Sequence, residues 1–214
     1  MKTTLALIIG TTLLVASSAQ AGGYAGKTGW NIGADAGVTR NHSNTSNLAP
    51  CTIAGAACSI DKSDSTWRIR GGYQFNENFG LEGSYVDLGK TYSGSGTLGA
   101  NTFSANQDTT AWTLSAVGKA PVSQNRRLKV YGKLGASRWE SKRDLQVNAN
   151  PSVRVKEKGT DPVAGIGLEY DVSNQWTVRG GYDRHFNVGK FNNAISGTVE
   201  KDVDALTIGA SFNF

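Results

Sequence analysis

The residues best suited to chemistry are two histidines, two cysteines and a set of charged side chains that recur at every second position. His185 and Asp183 share one face of a predicted strand, and Ser84 and Ser137 lie on other strands. A serine nucleophile needs a histidine base within hydrogen-bond reach and a third group that orients this base. The spacing assembles no such triad. We therefore predict no catalytic residue, and we expect His185 to pair with a carboxylate.

The two cysteines, Cys51 and Cys58, lie close together in a polar segment. In an oxidising compartment such a pair most often forms a disulfide that closes a small loop. Free thiols or a metal site are the alternatives, but His42 is the only nearby histidine and no metal-ligand spacing is recognisable. We predict a Cys51–Cys58 disulfide, no metal site and no cofactor.

Charged residues occupy the polar face of the predicted strands. That face carries Asp35, Arg68, Arg70, Glu82, Lys119, Lys133, Glu169, Arg179 and Asp183. The pattern is expected of a charged interior, where acidic and basic side chains must pair because a lone buried charge is costly. The exterior of a soluble barrel would carry such charges equally well, so this feature does not decide the fold by itself.

These side chains would be positioned by eight strands, because polar and apolar residues alternate with a period of two along most of the chain. The strands are predicted near 29–40, 65–75, 79–88, 109–120, 128–140, 162–172, 176–186 and 204–214. Short turns alternate with long polar loops, which are predicted at 41–64, 89–108, 141–161 and 187–203. This alternation is typical of a transmembrane barrel with an even number of strands. The predicted fold class is all-β, an eight-stranded antiparallel up-and-down transmembrane β-barrel.

The beginning of the chain has the features of an export signal. It combines a positive start at Lys2, an apolar run over 5–16 and a small-x-small pattern over 19–21. We predict that residues 1–21 are cleaved and that residues 22–214 form one barrel domain, with a retained anchor as the alternative. The 22 basic and 17 acidic residues leave only a mild positive excess, which gives no reason to expect a nucleic-acid partner.

Aromatic residues favour a membrane barrel over a soluble, lipocalin-like one. On the apolar face they lie at the strand ends next to the short turns, as Trp30, Phe75, Phe79, Tyr170, Trp176 and Phe214. Aromatic rings prefer the level of the lipid headgroups and form girdles there. The last strand also ends on Phe212 and Phe214, which we predict to act as the signal for the outer-membrane barrel assembly machinery.

Several short stretches are similar to the OmpA-like membrane barrel family. They are FGLEGSY at 79–85, VYGKLG at 130–135, GIGLEY at 165–170 and the pattern of Arg179 and Tyr182. Their order and spacing extend the resemblance over essentially the whole mature length. The resemblance implies a single barrel in the outer membrane of a Gram-negative bacterium, without the peptidoglycan-binding domain that follows the barrel in OmpA.

The resemblance also implies a gate inside the barrel, where carboxylates pair with basic side chains and interrupt the water path. Glu82, Glu169 and Arg179 match three gate positions, whereas the family's lysine aligns with Val117 and Lys119 follows two residues later. We predict a charge network of Glu82, Lys119, Lys133, Glu169, Arg179 and Asp183. It either gates the interior or simply neutralises itself there.

The leading functional prediction is structural: a barrel that stabilises the outer membrane and presents surface loops, with possible contacts to host surface molecules. A low-conductance pore for small solutes is the alternative, and a lipid A-modifying enzyme is a third possibility. Expected partners are outer-membrane lipids, lipopolysaccharide and the assembly machinery, and the barrel is expected to be a monomer. Basic residues of the third loop could meet lipopolysaccharide phosphates or remain solvated: Lys142, Arg143, Arg154, Lys156 and Lys158.

Overall fold

The computed structural model describes residues 28–42, 57–61, 63–98, 101–148, 153–188, 191–193, 197–199 and 202–214. The predicted signal peptide and Cys51 lie outside these residues. Cys58 lies on a strand, but its side chain is outside the described part. The cleavage of 1–21 and the disulfide therefore stay predictions. No helix in the described ranges is long and apolar enough to cross a membrane.

The described chain is almost entirely strand. In chain order the strands are β1 (Gly29–His42), β2 (Ala57–Asp61), β3 (Ser63–Gln74), β4 (Phe79–Leu98), β5 (Asn101–Pro121), β6 (Leu128–Val147), β7 (Val153–Asp171), β8 (Trp176–His185), β9 (Phe191–Asn193), β10 (Gly197–Val199) and β11 (Asp202–Asn213).

Eight of these strands close into an antiparallel barrel. Neighbours in sequence pair along β3–β4–β5–β6–β7–β8, β11 joins β8 to β1, and β1 pairs with β3. Strand β2 continues the wall beside the far part of β4, while β9 and β10 form a separate ribbon. The prediction of an eight-stranded up-and-down barrel is confirmed. We call the end with the short turns the lower end and the opposite end the upper end.

The barrel turns its apolar face outward. Trp30, Leu134 and Ile208 are each about two-thirds exposed, whereas Arg179 and Asp183 on the opposite face are buried. A soluble barrel would show the reverse arrangement, with the apolar side chains inside. The outward apolar face therefore resolves the choice that alternation left open.

The upper ends of two hairpins correct the sequence prediction. Residues 89–108 and 141–161 were expected to be loops, but β4 pairs with β5 as far as Leu98 and Asn101, and β6 pairs with β7 as far as Leu145 and Val153. These segments are rich in Ser, Thr, Asn and Gly or in charged residues. They contain few large apolar residues, so the hydrophobic period that identifies a strand is absent.

A bulge divides β4 into a lower and an upper part. The pairing of β4 with β5 shifts between Asp87, Lys90 and Tyr92. Gly89 lies there with φ +68°, and a Cβ atom would stand 2.5 Å from the carbonyl oxygen of Ser65. Only glycine fits both requirements readily.

A second group of aromatic side chains, which the sequence does not predict, lies on the outer face near the upper end. We call it the upper aromatic ring. Trp67, Tyr85 and Trp112 stand side by side on β3, β4 and β5, with ring centroids 5.7 Å and 4.9 Å apart. Together with the aromatic residues at the lower end, these rings bracket a band of aliphatic side chains. This is the arrangement of a lipid-facing belt.

Candidate functional site

The candidate site is the lumen, the space enclosed by the eight wall strands. A bidentate ion pair crosses it: Arg179 of β8 donates hydrogen bonds from Nη1 and Nη2 to the Glu82 carboxylate of β4, at 2.7 and 3.1 Å. Strands β8 and β4 do not pair with each other, so this contact spans the interior. Both side chains are buried, and a bidentate guanidinium–carboxylate pair has a well-defined geometry.

Asp35 of β1 collects three guanidinium groups beside that pair. Arg68 Nε donates to Asp35 Oδ2 at 2.7 Å, Arg70 Nε does so at 3.2 Å, and Arg179 Nη2 lies 3.6 Å away. Asp35 and Arg68 are direct cross-strand partners in the sheet. One carboxylate thus links three strands across the lumen.

Asp183 forms the next contact on the far side of the lumen. Its carboxylate accepts a hydrogen bond from Arg68 Nη1 and lies 2.9 Å from Lys133 Nζ. Lys133 also approaches Glu82 Oε1 at 3.7 Å. Arg68, Asp183, Lys133 and Glu82 therefore belong to one connected network with Asp35 and Arg179.

Small residues make room for these side chains. A Cβ atom at Gly165 would overlap the Asp183 carboxylate, and one at Gly181 would overlap the Tyr131 hydroxyl. The Tyr131 ring lies beneath the Arg179 guanidinium, 5.0 Å from ring centroid to Cζ, which is within cation–π range. Gly165 of β7 and Gly181 of β8 thus leave space for the Asp183 carboxylate and the Tyr131 hydroxyl.

Further ion pairs line the lower opening. Lys119 Nζ lies 2.7 Å from Glu169 Oε2, and Glu169 Oε1 lies 3.7 Å from Arg179 Nη1. Lys129 and Asp171 form a separate pair at 2.9 Å. A cavity of about 30 Å³, roughly the room of a single water molecule, lies among these groups. The lumen therefore narrows to the network from below.

The structure brings all six predicted network residues together. Glu82, Lys133, Arg179 and Asp183 belong to the centre, while Glu169 and Lys119 connect it to the lower opening. Val117, at the family's lysine position, is buried and holds no charge, and Lys119 reaches Glu169 instead. The role of these residues as a gate stays a prediction.

Three central members were missing from the predicted network. Asp35, Arg68 and Arg70 were placed on the polar face but were not assigned to it. The strand register could have identified Asp35 and Arg68. Strands β1 and β3 are neighbours in the barrel, and their register places Asp35 opposite Arg68. The contacts of Arg68 with β8 carried no such signal, because β3 and β8 are not neighbours in the sheet.

Above the ionic network the interior contains an apolar layer that the sequence does not predict, and the buried polar side chains of Gln107, Thr109 and Ser141 lie beyond it. The buried apolar layer consists of Val86, Leu88, Ala111, Trp139, Val188 and Val203. Trp139 Nε1 donates to Asp161 Oδ2 at 2.7 Å, so its one polar atom is satisfied. A belt of hydroxyl and amide contacts separates the two layers, including Ser84 with Thr113 at 2.6 Å.

The possible catalytic residues do not form a working site. Ser137 Oγ lies 3.2 Å from His185 Nδ1, but both side chains are buried. Asp183 is engaged by Arg68 and Lys133, and the described hydrogen-bond partner of the imidazole is Ser137, whereas the sequence predicts a carboxylate. Within the described ranges, no group of three or more His, Cys, Asp or Glu side chains could hold a metal ion. This arrangement supports a structural hydrogen bond.

Phe212 and Phe214, the predicted assembly signal, lie on the outer face at the lower end. The Phe212 ring is 5.3 Å from the Trp176 ring and 5.2 Å from the Phe214 ring, between centroids. Phe214 is 71% exposed, and its amide donates to the Trp30 carbonyl. The chain end is therefore fixed in the closed sheet with its ring outside, and its recognition by the assembly machinery stays a prediction.

The basic residues of the third predicted loop lie on strands and face two ways. Lys142, Lys156 and Lys158 are exposed on the outer face, as is Arg154. Arg143 points inward and donates from Nη2 to Gln107 Oε1 at 2.9 Å, so it does not join them.

Salt bridges on this outer face perturb two carboxyl groups. The hydrogen bond from Lys158 holds the pKa of Glu140 below its usual value, and the hydrogen bond from Arg154 does the same for the pKa of Asp144.

Comparison with known proteins identifies a family and relatives with this architecture. Residues 7–214 match the family described as the outer membrane protein beta-barrel domain. Outer membrane protein A of Salmonella typhi is 31% identical over 145 residues, which cover 67% of this chain and 38% of that protein. The chain spans about two fifths of the length of the curated relatives it matches.

Solved structures show the same fold at low sequence identity. Neisserial surface protein A aligns with a TM-score of 0.54 and 16% identity, covering 88% of this chain and 99% of that one. Ail, the attachment invasion locus protein of Yersinia pestis, aligns with a TM-score of 0.50 and 15% identity, covering 88% and 99%. The chain therefore belongs to the outer membrane protein β-barrel domain family: it is an OmpA-like, eight-stranded barrel of the outer membrane.

Proposed function

We propose that the protein is a closed structural barrel, which stabilises the outer membrane and carries hairpins into the space outside the cell, and that it is not an enzyme. The observation that supports this most strongly is the filled lumen. An ionic network and an apolar layer lie one above the other, and each is made of buried side chains. Eight strands enclose an interior just wide enough for such filling.

The ionic network is well suited to a permanent structural role. Asp35, Glu82 and Asp183 each contact at least two basic groups, so no single rotation releases the network. Strands β1, β3, β4, β6 and β8 are tied together through these contacts. Such cross-links resist deformation of the barrel within the bilayer.

The upper hairpins support the second half of the proposal. Strands β4 to β7 rise beyond the aromatic ring of Trp67, Tyr85 and Trp112 as paired sheet. A paired hairpin presents its outer residues in a fixed geometry, which suits contacts with molecules outside the cell, including host surface molecules. The lower-end aromatic residues, with Phe212 and Phe214, suit recognition by the assembly machinery before the barrel closes.

A deletion strain tests the structural proposal. We expect cells without the protein to leak periplasmic enzymes and to become sensitive to detergent, and we expect the wild-type gene to restore both properties. A variant in which the upper parts of the β4–β5 and β6–β7 hairpins are shortened should restore the barrier equally well, since the filled wall would remain. An unchanged barrier combined with slower uptake of small solutes would contradict the proposal and favour the pore.

Proteoliposome swelling separates the same two functions in a purified system. Liposomes that contain the barrel should swell in small sugars no faster than empty liposomes. The small lower cavity ends at the Lys119–Glu169 pair, so a pore would require this pair and the network above it to move apart. Swelling that depends on Lys119 would favour the transport function.

A further inference from the structure

The outer surface of β6 and β7, from the level of the upper aromatic ring upward, is strongly basic. Arg138, Lys142, Lys156 and Lys158 are all exposed on the outer face, and we call these four residues the β6–β7 basic face. Alternation places them on the lipid side of the wall, above the side chains that form its aliphatic band. This surface has no role in the filled lumen.

The strand register makes this face electrostatically unusual. Lys142 stands directly opposite Lys156 in the antiparallel pair. Like charges at directly opposed positions of a sheet destabilise it. The neighbouring pairs follow the ordinary rule, because Glu140 opposes Lys158 and Asp144 opposes Arg154.

The nearby acidic side chains relieve the repulsion only in part. Glu140 is shared between two lysines, with Lys158 at 2.9 Å and Lys142 at 3.6 Å. Among the described residues, Lys156 and Arg138 have no acidic group within ion-pair distance. An anion placed between Lys142 and Lys156 would neutralise the pair, and a phosphate group has the charge and the acceptor oxygens to do so.

The height of the face on the barrel identifies the source of the phosphate. Arg138 is the cross-strand partner of Trp112, which belongs to the upper aromatic ring. Aromatic rings mark the boundary between hydrocarbon and headgroups. Lys142 lies four residues further along, a rise of about 13 Å along the strand, and therefore reaches into the headgroup layer.

The adjacent wall, formed by β8 beside β7 and by β11, has a rim whose charges are paired. On β8 and β11, Arg184 donates to both oxygens of Asp204 at 2.7 and 2.9 Å, and His42 of β1 lies 3.2 Å from the same carboxylate. Charges there are matched within the protein. On the β6–β7 side, by contrast, two lysines, Lys142 and Lys156, stand directly opposite each other.

We propose that the β6–β7 basic face binds the phosphate groups of an outer-leaflet glycolipid of the lipopolysaccharide class, with Lys142 and Lys156 on either side of one phosphate and Arg138 approaching from the membrane side. The site depends on the barrel's place in the outer membrane and not on the filled lumen. Failure of this proposal would leave the structural role intact, and the reverse also holds.

Binding of purified lipids to the full barrel in neutral detergent micelles tests the site. Diphosphoryl lipid A should bind the wild type and raise its unfolding temperature, while chemically dephosphorylated lipid A should bind much more weakly. The double variant Lys142→Gln/Lys156→Gln should bind diphosphoryl lipid A about tenfold to thirtyfold more weakly, since each basic group near an anionic surface contributes on the order of 1 kcal/mol.

A matched variant controls for the loss of two positive charges. Arg126→Gln/Arg127→Gln changes two cations in the turn at the lower end, of which Arg126 is exposed and Arg127 half-buried, and it should keep wild-type affinity for lipid A. A heat-modifiable gel shift should verify that every variant is folded. Equal affinity of the Lys142/Lys156 and Arg126/Arg127 variants would overturn the proposal. Binding of a soluble heparin fragment as tight as that of lipid A would also overturn it, since the face would then be a general polyanion surface.

Discussion

The lower and upper parts of the lumen are closed by opposite chemistry. The lower part holds a network of buried charges centred on Arg179, Glu82 and Asp35, whereas the upper part holds apolar side chains around Leu88 and Trp139. Charges attract specifically but need all of their partners, while apolar groups need only close packing. The same narrow barrel can thus be filled by paired charges or by apolar side chains, and the two fillings differ in how much stability a single substitution removes.

The largest effect is expected from removing one member of the central ion pair. Glu82→Gln should lower the free energy of unfolding by about 3–5 kcal/mol, because Arg179 then stays buried without its bidentate partner. Urea unfolding of the micelle-refolded barrel measures this change. The double variant Glu82→Leu/Arg179→Met should recover most of the loss. If Glu82→Gln and Arg179→Met each leave stability unchanged, the pairing hypothesis is wrong.

Shortening a side chain in the apolar layer should lower the free energy of unfolding somewhat less. Shortening a second side chain in that layer should not restore the lost stability. Leu88 is fully buried, and Leu88→Ala should cost about 2–4 kcal/mol through lost burial and the cavity that remains. The same urea titration gives the value, and Leu88→Met serves as a control that keeps the volume and should cost far less. A Leu88→Ala variant as stable as the wild type would show that this layer is loosely packed.

A smaller effect is expected on the outer face. Trp112 is 66% exposed and its ring packs against the Tyr85 ring at an interplanar angle of 59°, so Trp112→Ala should cost about 1 kcal/mol. The effect should appear in lipid bilayers and shrink in detergent micelles, which lack a defined headgroup layer. Equal losses in both environments would argue that the upper ring acts by ring packing alone.

The smallest effect concerns pH. The hydrogen bond from Arg154 lowers the pKa of Asp144, so this pair stabilises the folded state above the usual carboxyl pKa of 3.8 and loses its contribution as pH falls through the lowered value. Thermal unfolding of the wild type and of Asp144→Asn should differ slightly at pH 5 and converge below pH 3. A difference that grows on acidification would contradict this sign.

The sequence predicts the lower barrel well because lipid imposes the pattern. Wherever one face touches hydrocarbon, apolar residues must alternate with the others, and Trp30, Ile32 and Ala34 show that period directly. Above the upper aromatic ring this constraint ends. The hairpin segments over 93–98 and 101–106 carry few large apolar residues, so backbone pairing alone makes them strands.

Parts of the interior were less predictable. Register follows from hairpin connections, so the contact of Asp35 with Arg68 was within reach of sequence reasoning. The pairing of Glu82 with Arg179 joins strands that are not neighbours and depends on how side chains fill a closed barrel. The apolar layer shares the alternation of the charged face, since Val86 and Leu88 follow Glu82 at even spacing, and only the change from charged to apolar residues marks it.

Planar-bilayer conductance of the purified barrel tests the filled lumen most directly. The wild type should insert without producing discrete current steps, since buried side chains occupy both levels of the interior. A variant with both layers reduced, Glu82→Ala/Arg179→Ala with Leu88→Ala, should produce small steps if a folded band is retained on the gel. Discrete steps from the wild type itself, equal in size to those of the variant, would contradict the account.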